Sequence, residues 1–126
     1  MTAQTMLHRQ IHPAFFRNGR VESPAFRPSS KDEGKLSTED GDRITAEAAW
    51  VRYTTVRRFD SVGSMAVTTD ECAGLVLPVI EDGGTDPKLS AEHVSIDFNG
   101  LDRKQTESKS KKLRDAAVTR SWTHRP

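Results

Sequence analysis

The sequence predicts an α+β domain in which a small, mainly antiparallel sheet is packed by one amphipathic helix and a long C-terminal helix. Three observations support this fold class. Residues 44–67 have the pattern of a helix followed by a buried strand, residues 93–98 alternate between apolar and polar side chains, and residues 102–120 contain no helix breaker. With 126 residues, of which 34% are hydrophobic, the chain is predicted to form one domain with a thin core.

The best-marked element is the helix predicted over residues 45–58. Thr45 can cap its N-terminus, and Glu47 lies in the first turn, where a carboxylate interacts favourably with the helix dipole. The apolar side chains recur every three or four residues and therefore share one face: Ala46, Ala49, Trp50, Tyr53 and Val56. A short buried strand is predicted over residues 62–67, and Trp50 is the largest apolar group available to cover it.

The N-terminal third of the chain is predicted to be mostly irregular. Leu7 and Ile11 lie four residues apart, which predicts one or two helical turns ahead of a proline. The Asn-Gly pair at residues 18–19 predicts a tight hairpin turn. Proline and serine make residues 23–34 a predicted loop, after which residues 35–38 are predicted to form a short strand.

The second half of the chain is predicted to supply the rest of the sheet. Thr68 and Glu71 have the spacing of a capping box and begin a short predicted helix. Pro78 interrupts an apolar run and places that run at a sheet edge or in a packed loop. The strand over residues 93–98 is predicted to pair with residues 65–67, and the long helix after it to dock through its second half, where its apolar residues lie.

Charge is unevenly distributed along the single predicted domain, residues 1–126. The chain carries 19 Lys and Arg and 18 Asp and Glu, for a net charge of +1, so its overall charge gives no support for binding nucleic acid or lipid. Residues 1–43 are expected to be largely irregular. Residues 101–126 are predicted to form a basic helix and tail, with eight Lys and Arg against three Asp and Glu.

The basic C-terminal helix is one candidate binding site, for the phosphates of a nucleic acid. Its candidate residues are Arg103, Lys104, Lys109, Lys111, Lys112 and Arg114. Acidic residues and serines are interspersed among them, and no aromatic side chain is placed to stack on a base. This composition favours a solvated helix face over a nucleic-acid site, and both interpretations stay open.

The single cysteine, Cys72, excludes an intrachain disulfide and every multi-cysteine zinc site. No apolar run approaches the roughly eighteen residues needed to span a membrane, and the N-terminus lacks the pattern of a secretory signal. A cytoplasmic protein without a membrane partner is therefore expected. His8 and His12 have the spacing of two helical zinc ligands, but no third ligand is marked, so no metal or other cofactor is predicted.

One further set of residues resembles a catalytic group. Cys72, His93 and Asp97 are the residue types of a thiol nucleophile, its base and an orienting carboxylate. Two acidic residues directly precede the cysteine, and neighbouring carboxylates raise the pKa of a thiol instead of lowering it. A half-buried structural cysteine is the better interpretation, and no catalytic residue is predicted.

Loops carry binding sites more often than regular elements do, and the irregular N-terminal segment collects the residue types of an anion site. Its candidate binding residues are His12, Arg20, Ser23, Phe26, Arg27 and Ser37. Arginines near a hydroxyl and a histidine can bind a phosphate or a carboxylate. They can equally donate to the backbone carbonyls that a long loop must satisfy. Phe26 is expected to anchor the segment in the core.

Several short motifs follow one another along the chain: His12-Pro13, Gly19-Arg20-Val21, Ser23, Ala25-Phe26-Arg27-Pro28, Asp32, Leu36-Ser37, Ile44-Thr45-Ala46-Glu47, Ala66-Val67-Thr68, Glu71-Cys72 and Val94-Ser95-Ile96-Asp97-Phe98. In these motifs, which cover most of the domain, the chain resembles a group of small bacterial proteins of unknown function. The resemblance implies a bacterial cytoplasmic protein that is accessory to a larger system, and no catalytic residue carries over. That pattern commonly has an apolar residue after Leu36-Ser37, where this chain has Thr38-Glu39.

Three functional hypotheses remain after these exclusions. The first is a small non-catalytic binding or accessory protein that meets a protein partner through its N-terminal segment, as the thin core and the long loop suggest. The second is a nucleic-acid-binding protein that acts through the basic helix. The third is a small enzyme acting on a phosphorylated or acyl substrate, with His12, Arg20 and Arg27 as its site residues.

Overall fold

The computed structural model describes residues 1–126 and contains seven strands. In chain order they are β1 (Met6–Gln10), β2 (Phe16–Arg17), β3 (Arg20–Val21), β4 (Lys35–Asp40), β5 (Ser64–Thr68), β6 (Val79–Glu81) and β7 (His93–Asp97). Five of them form one antiparallel sheet in the order β5-β1-β4-β7-β6, and β2 and β3 form the predicted hairpin. Asn18 and Gly19 make its turn with φ values of 52° and 73°. The architecture is α+β, as predicted.

Three helices pack on this sheet. They are α1 (Ala46–Val51), which continues as a wider π-helical turn (Arg52–Val56), α2 (Thr69–Gly74) and α3 (Arg103–Arg120). The predicted caps are confirmed: Thr45 Oγ1 accepts from Ala48 N (3.1 Å), and Thr68 and Glu71 form a capping box. Asp102 begins α3 with a second capping box. None of the three combines the length and the apolar character that crossing a membrane requires.

Residues 6–10 form strand β1 between β5 and β4, so the prediction of helical turns at Leu7 and Ile11 is wrong. A spacing of four also fits a strand, because alternate residues of a strand share one face. Arg9 stands between the two on that face, and its polar side chain breaks the apolar alternation that would have indicated a strand. Its guanidinium donates from Nε to Ala25 O (2.8 Å) and from Nη1 to Ser37 O (3.1 Å).

Strand β7 pairs with other strands than the one predicted. It lies between β4 and β6, with Leu36 opposite Ile96, and β1 and β4 separate it from β5. The predicted pairing of residues 93–98 with residues 65–67 is therefore wrong. Residues 1–43 contain more regular structure than expected, because β1, β4 and the β2–β3 hairpin lie within that segment. The short strand predicted at the start of β4 is confirmed.

One face of the sheet holds the hydrophobic core. Leu7 lies opposite Val67, Leu36 lies opposite Ile96, and all four side chains are fully buried. The covering elements are α2, α3 and a 3₁₀ turn, Ser23–Phe26. These elements contribute Phe26, Cys72, Leu113 and Ala117 to the core. The second half of α3 therefore docks on the sheet, as predicted.

The opposite face of the sheet is polar. His8, Glu39 and His93 lie in one row across β1, β4 and β7. Helix α1 covers this face, and Arg52 in its π-helical turn forms ion pairs with Glu39 (3.1 Å) and Glu92 (3.0 Å). The predicted packing of an amphipathic helix on the sheet is confirmed, but the surface below that helix consists of polar side chains.

The apolar stripe predicted along α1 is buried only over its first half. Ala49 is buried and Trp50 is half-buried, whereas Val56 is 74% exposed. The π-helical turn explains the difference. Arg57 N donates to Arg52 O, five residues back, so the turn is wider and the later side chains rotate away from the sheet.

At the β5 edge of the sheet, four outward-facing backbone groups are bonded: Ser64 N, Ser64 O, Ala66 O and Thr68 N. Ser64 exchanges backbone hydrogen bonds with the tail that follows α3 (2.8 and 2.9 Å). Ala66 O accepts from Arg120 Nη1 (2.8 Å), and Thr68 N donates to Glu71 Oε1 (2.8 Å). This edge is therefore closed by residues of the chain itself.

At the β6 edge no such cover exists. Asp97 N of β7 donates to Pro78 O (2.8 Å), and Ile80 continues this pairing with β7. Alternate residues of a strand point their N–H and C=O groups in opposite directions, so Val79 and Glu81 direct theirs away from the sheet. The molecule thus has one closed and one open sheet edge.

Candidate functional site

The six N-terminal residues predicted as a binding site differ in their burial and in their hydrogen-bond partners. His12 is exposed and caps a 3₁₀ turn by accepting at Nδ1 from Ala14 N (3.0 Å). Phe26 is fully buried, so it anchors the segment in the core and leaves no side-chain surface for a partner. Arg27 donates to Ser23 Oγ (3.4 Å), the one hydrogen bond within the set. The remaining two members of the set are Ser37 and Arg20.

Ser37 is exposed on the polar face of the sheet, and Arg20 lies in a cleft that we call the hairpin groove. This groove has a volume of about 530 Å³ and runs between the β2–β3 hairpin and the C-terminal end of α3. Its lining includes Phe16, Arg20, Val21, Arg114, Ser121 and Trp122. The fold therefore brings Arg20 beside Arg114, which the sequence assigned to a different candidate site.

Two aromatic rings lie on the wall of the hairpin groove. Phe16 and Trp122 form an edge-to-face pair with ring centroids 5.5 Å apart. The Arg125 guanidinium lies over both rings, 4.9 Å from the Phe16 centroid and 4.3 Å from the Trp122 centroid. The tail after α3 is thereby fixed against the hairpin.

The arginines of the hairpin groove differ in how they are held. Arg114 donates to Val21 O (3.2 Å) and to the Asp115 carboxylate (2.6 Å). Arg20 is exposed and has neither a hydrogen-bond acceptor nor a carboxylate partner. Of these two guanidinium groups, only that of Arg20 is available to a ligand.

The basic residues of α3 point in several directions. At about 100° per residue, the six predicted nucleic-acid contacts cover roughly 240° of the helix circumference. Arg103 also pairs with Glu107 (3.1 Å), as Arg114 does with Asp115. No single basic stripe results, so nothing in the geometry favours nucleic-acid binding over a solvated face, and that function stays a prediction.

A second cleft, which we call the edge groove, lies beside the start of β6 and has a volume of about 550 Å³. Its mainly apolar lining includes Met1, Ala73, Val76, Leu77, Pro78 and Val79. Val76 is 78% exposed and has a φ of 56°, a conformation that β-branched residues strongly disfavour. The sequence marked this stretch only as an apolar run broken by a proline, and it did not predict a site here.

A buried polar cluster lies near the end of β6. The Asp82 carboxylate accepts from Ser95 Oγ (2.6 Å) and is bonded to His93 Nδ1 (2.6 Å). Burial alone would raise the pKa of Asp82, but the hydrogen bonds from Ser95 and His93 outweigh it, and this pKa lies below its usual value. The sequence missed Asp82 because it follows β6 in a loop, although the alternation of His93 and Ser95 indicated a polar face.

The cysteine, histidine and aspartate weighed as a catalytic set are not assembled. His93 bonds to Asp82, while Asp97 bonds to the turn that follows β7. Cys72 is fully buried, and burial, together with the nearby Glu71 charge, raises the pKa of its thiol to about 12. The thiol therefore stays protonated. No three His, Cys, Asp or Glu side chains in the molecule are grouped to hold a metal ion.

No protein-family model, curated protein or solved structure matches this chain. The geometry of the molecule offers three candidate features for binding: the open edge of β6, the edge groove beside it and the hairpin groove.

Proposed function

We propose that the protein is a small non-catalytic binding protein that recognises an extended segment of a partner protein at the open edge of β6. The observation that carries this proposal is the position of the apolar edge groove directly beside that edge. An extended segment can add to a sheet edge through main-chain hydrogen bonds, and neighbouring pockets then select its side chains. The outward-facing groups of Val79 and Glu81 would pair with such a segment.

The conformation of Val76 supports this proposal. A non-glycine residue at positive φ is strained by roughly 1–3 kcal/mol, and the exposed valine gains little burial in return. A partner that covered this side chain would recover burial of about 1 kcal/mol or more. A strained and exposed apolar residue at the mouth of an apolar groove is thus explained by a contact that forms on binding.

The charges beside the edge indicate what the partner segment contains. Asp70 lines the edge groove and Glu81 lies at the end of β6, and neither forms an ion pair. We therefore expect the segment to alternate apolar residues with Lys or Arg. A second copy of this chain is a poorer occupant, because its own β6 edge would bring Glu81 and Asp86 towards the same carboxylates.

We propose a cytoplasmic location and an accessory role in a larger system as the setting of this function. A single, fully buried cysteine is compatible with a reducing compartment. The resemblance to small bacterial proteins supports the same setting. Neither statement is needed for the proposed contact.

The test is a selection of random peptides of about eight residues, a common strand length, displayed on phage against the full chain. We expect enriched peptides to alternate apolar and basic residues. Binding of a selected peptide should slow amide hydrogen exchange at Val79 and Glu81. The variant Val76→Asn adds no charge and has a side chain that tolerates positive φ, so it should weaken binding of this peptide about tenfold or more through loss of the apolar contact.

A matched control is Val56→Asn, since Val56 is similarly exposed (74%) but lies in the π-helical turn. This variant should bind the selected peptide as the wild type does. The proposal is contradicted if no peptide is enriched, if enriched peptides lack the basic residues, or if Val76→Asn has no effect. A doubled mass of the free protein by light scattering, with protected β6 amides, would instead assign the edge to a second copy.

A further inference from the structure

The hairpin groove has the dimensions and the lining of a small-molecule site. Its volume of about 530 Å³ falls within the range of natural ligand pockets. Val21, Met65, Val118 and the two aromatic rings supply apolar wall, and the polar lining includes Arg20, Arg114, Thr119 and Ser121. A mainly apolar wall with a few polar groups is the usual design of a site for an amphipathic ligand.

The polar lining of the groove carries excess positive charge. Arg20 and Arg114 line it against one carboxylate, Asp115, and the Arg125 guanidinium lies over the Phe16 and Trp122 rings of its wall. Arg17 lies directly opposite Arg20 in the hairpin and pairs with Glu22 (3.4 Å). Two like charges at opposite positions destabilise a two-stranded hairpin, so Arg20 is not placed there to stabilise the fold.

Two hydroxyl groups face the same groove without intramolecular partners, those of Thr119 and Ser121. Ser121 has a φ of 78° and a ψ of 179°, a combination found almost only in glycine. Glycine would end α3 here without strain, but serine provides a hydroxyl beside Trp122. The groove thus offers one guanidinium and two hydroxyl donors next to an aromatic wall.

We propose that the hairpin groove binds a small organic oxyanion: an aromatic or aliphatic body that carries one carboxylate or phosphate group. The Arg20 fork pairs with the oxyanion, the hydroxyls of Thr119 and Ser121 add hydrogen bonds, and the apolar body packs against Trp122. This site lies apart from β6 and does not depend on the function proposed above.

The test uses the two indole N–H signals of the full chain in NMR spectra, because Trp122 lines the groove and Trp50 lies on the polar face of the sheet. Benzoate and phenyl phosphate are titrated separately, with benzamide as the neutral analogue. We expect one of the anions, or both, to shift the Trp122 signal and leave the Trp50 signal in place. The stronger binder of the two identifies the oxyanion.

Arg20→Ala should weaken binding of the anion about ten- to a hundredfold, which corresponds to the loss of a charge-assisted hydrogen-bond pair. Arg20→Lys should bind the anion with an affinity between those of the wild type and Arg20→Ala, since lysine keeps the charge but lacks the planar pair of donors. Arg103→Ala is the matched control at the opposite end of α3, and it should bind as the wild type does. Equal binding of benzamide, unchanged binding by Arg20→Ala, or no shift of Trp122 by either anion overturns the proposal.

Discussion

The two edges of the sheet are built in opposite ways. At the β5 edge, the C-terminal tail bonds Ser64 N and O, Arg120 bonds Ala66 O, and Glu71 bonds Thr68 N. At the β6 edge, Val79 and Glu81 present unpaired groups to the surface next to an apolar groove. Exposed edges invite pairing with other chains, and proteins usually cover them. The contrast shows that this fold can close an edge, so the open one is a candidate for function.

The largest expected difference between the edges is in amide hydrogen exchange. The N–H groups of Ser64 and Thr68 are hydrogen-bonded and must open before they exchange, whereas those of Val79 and Glu81 face solvent. We expect the amides of Ser64 and Thr68 to exchange at least about a thousandfold more slowly than those of Val79 and Glu81. This ratio corresponds to an opening free energy of about 4 kcal/mol. Exchange measured residue by residue by NMR checks this, and similar rates at both edges would remove the distinction.

Arg120→Ala should loosen the closed edge. This arginine donates to Ala66 O (2.8 Å) and to Glu71 Oε2 (2.9 Å), so its removal leaves both acceptors unpaired. We expect the free energy of unfolding in urea to fall by about 1.5–3 kcal/mol. Arg103→Ala, at the exposed start of the same helix, should change it by less than about 0.5 kcal/mol.

Val76→Gly should stabilise the free protein at the open edge. Glycine adopts a φ of 56° without strain, and the exposed valine has little burial to lose. We expect the free energy of unfolding to rise by about 1 kcal/mol. The comparison is Val51→Gly within α1, which should lower it by about 0.5 kcal/mol because glycine is a poor helix former. A loss of stability in both variants would show that Val76 is not strained.

The smallest effect is the pH dependence of the closed edge. Burial would raise the pKa of Glu71, but hydrogen bonds from Arg120 and Thr68 outweigh it and hold this pKa below the ordinary value of 4.5. The resulting stabilisation is complete above pH 4.5 and is lost as the pH falls through the lowered pKa. Urea titrations should show that the wild type has the larger free energy of unfolding above pH 4.5, and that its difference from Glu71→Gln decreases below this pH. A constant difference between the two would contradict this assignment.

The parts of the fold that the sequence predicted are the local ones. The caps at Thr45 and Thr68, the Asn-Gly hairpin turn and the strand at residues 93–98 depend on neighbours within a few positions. Strand pairing depends on residues far apart in the chain, and the order β5-β1-β4-β7-β6 could not be read from any local pattern. β1 was missed because Arg9 occupies an inward position and bonds to carbonyls of other segments.

The candidate sites were predictable only in part, for a similar reason. Arg20 was named from its chemistry, but its neighbours in the hairpin groove, such as Trp122, come from the other end of the chain. Predicting the open edge requires knowing which strands lie outermost in the sheet. The strain at Val76 has no sequence signal at all, since it exists only in the backbone conformation.

The hydrogen bonds between Ser64 and His124 limit what can be assembled on this sheet. A sheet with two open edges can polymerise, because each added chain offers a new edge for the next. Here the tail after α3 occupies one side, so strand addition can begin at β6 only, and each molecule is expected to bind one strand donor. Two copies that paired through β6 would have a closed edge on both sides, so copies of this chain alone are expected to resist forming fibres.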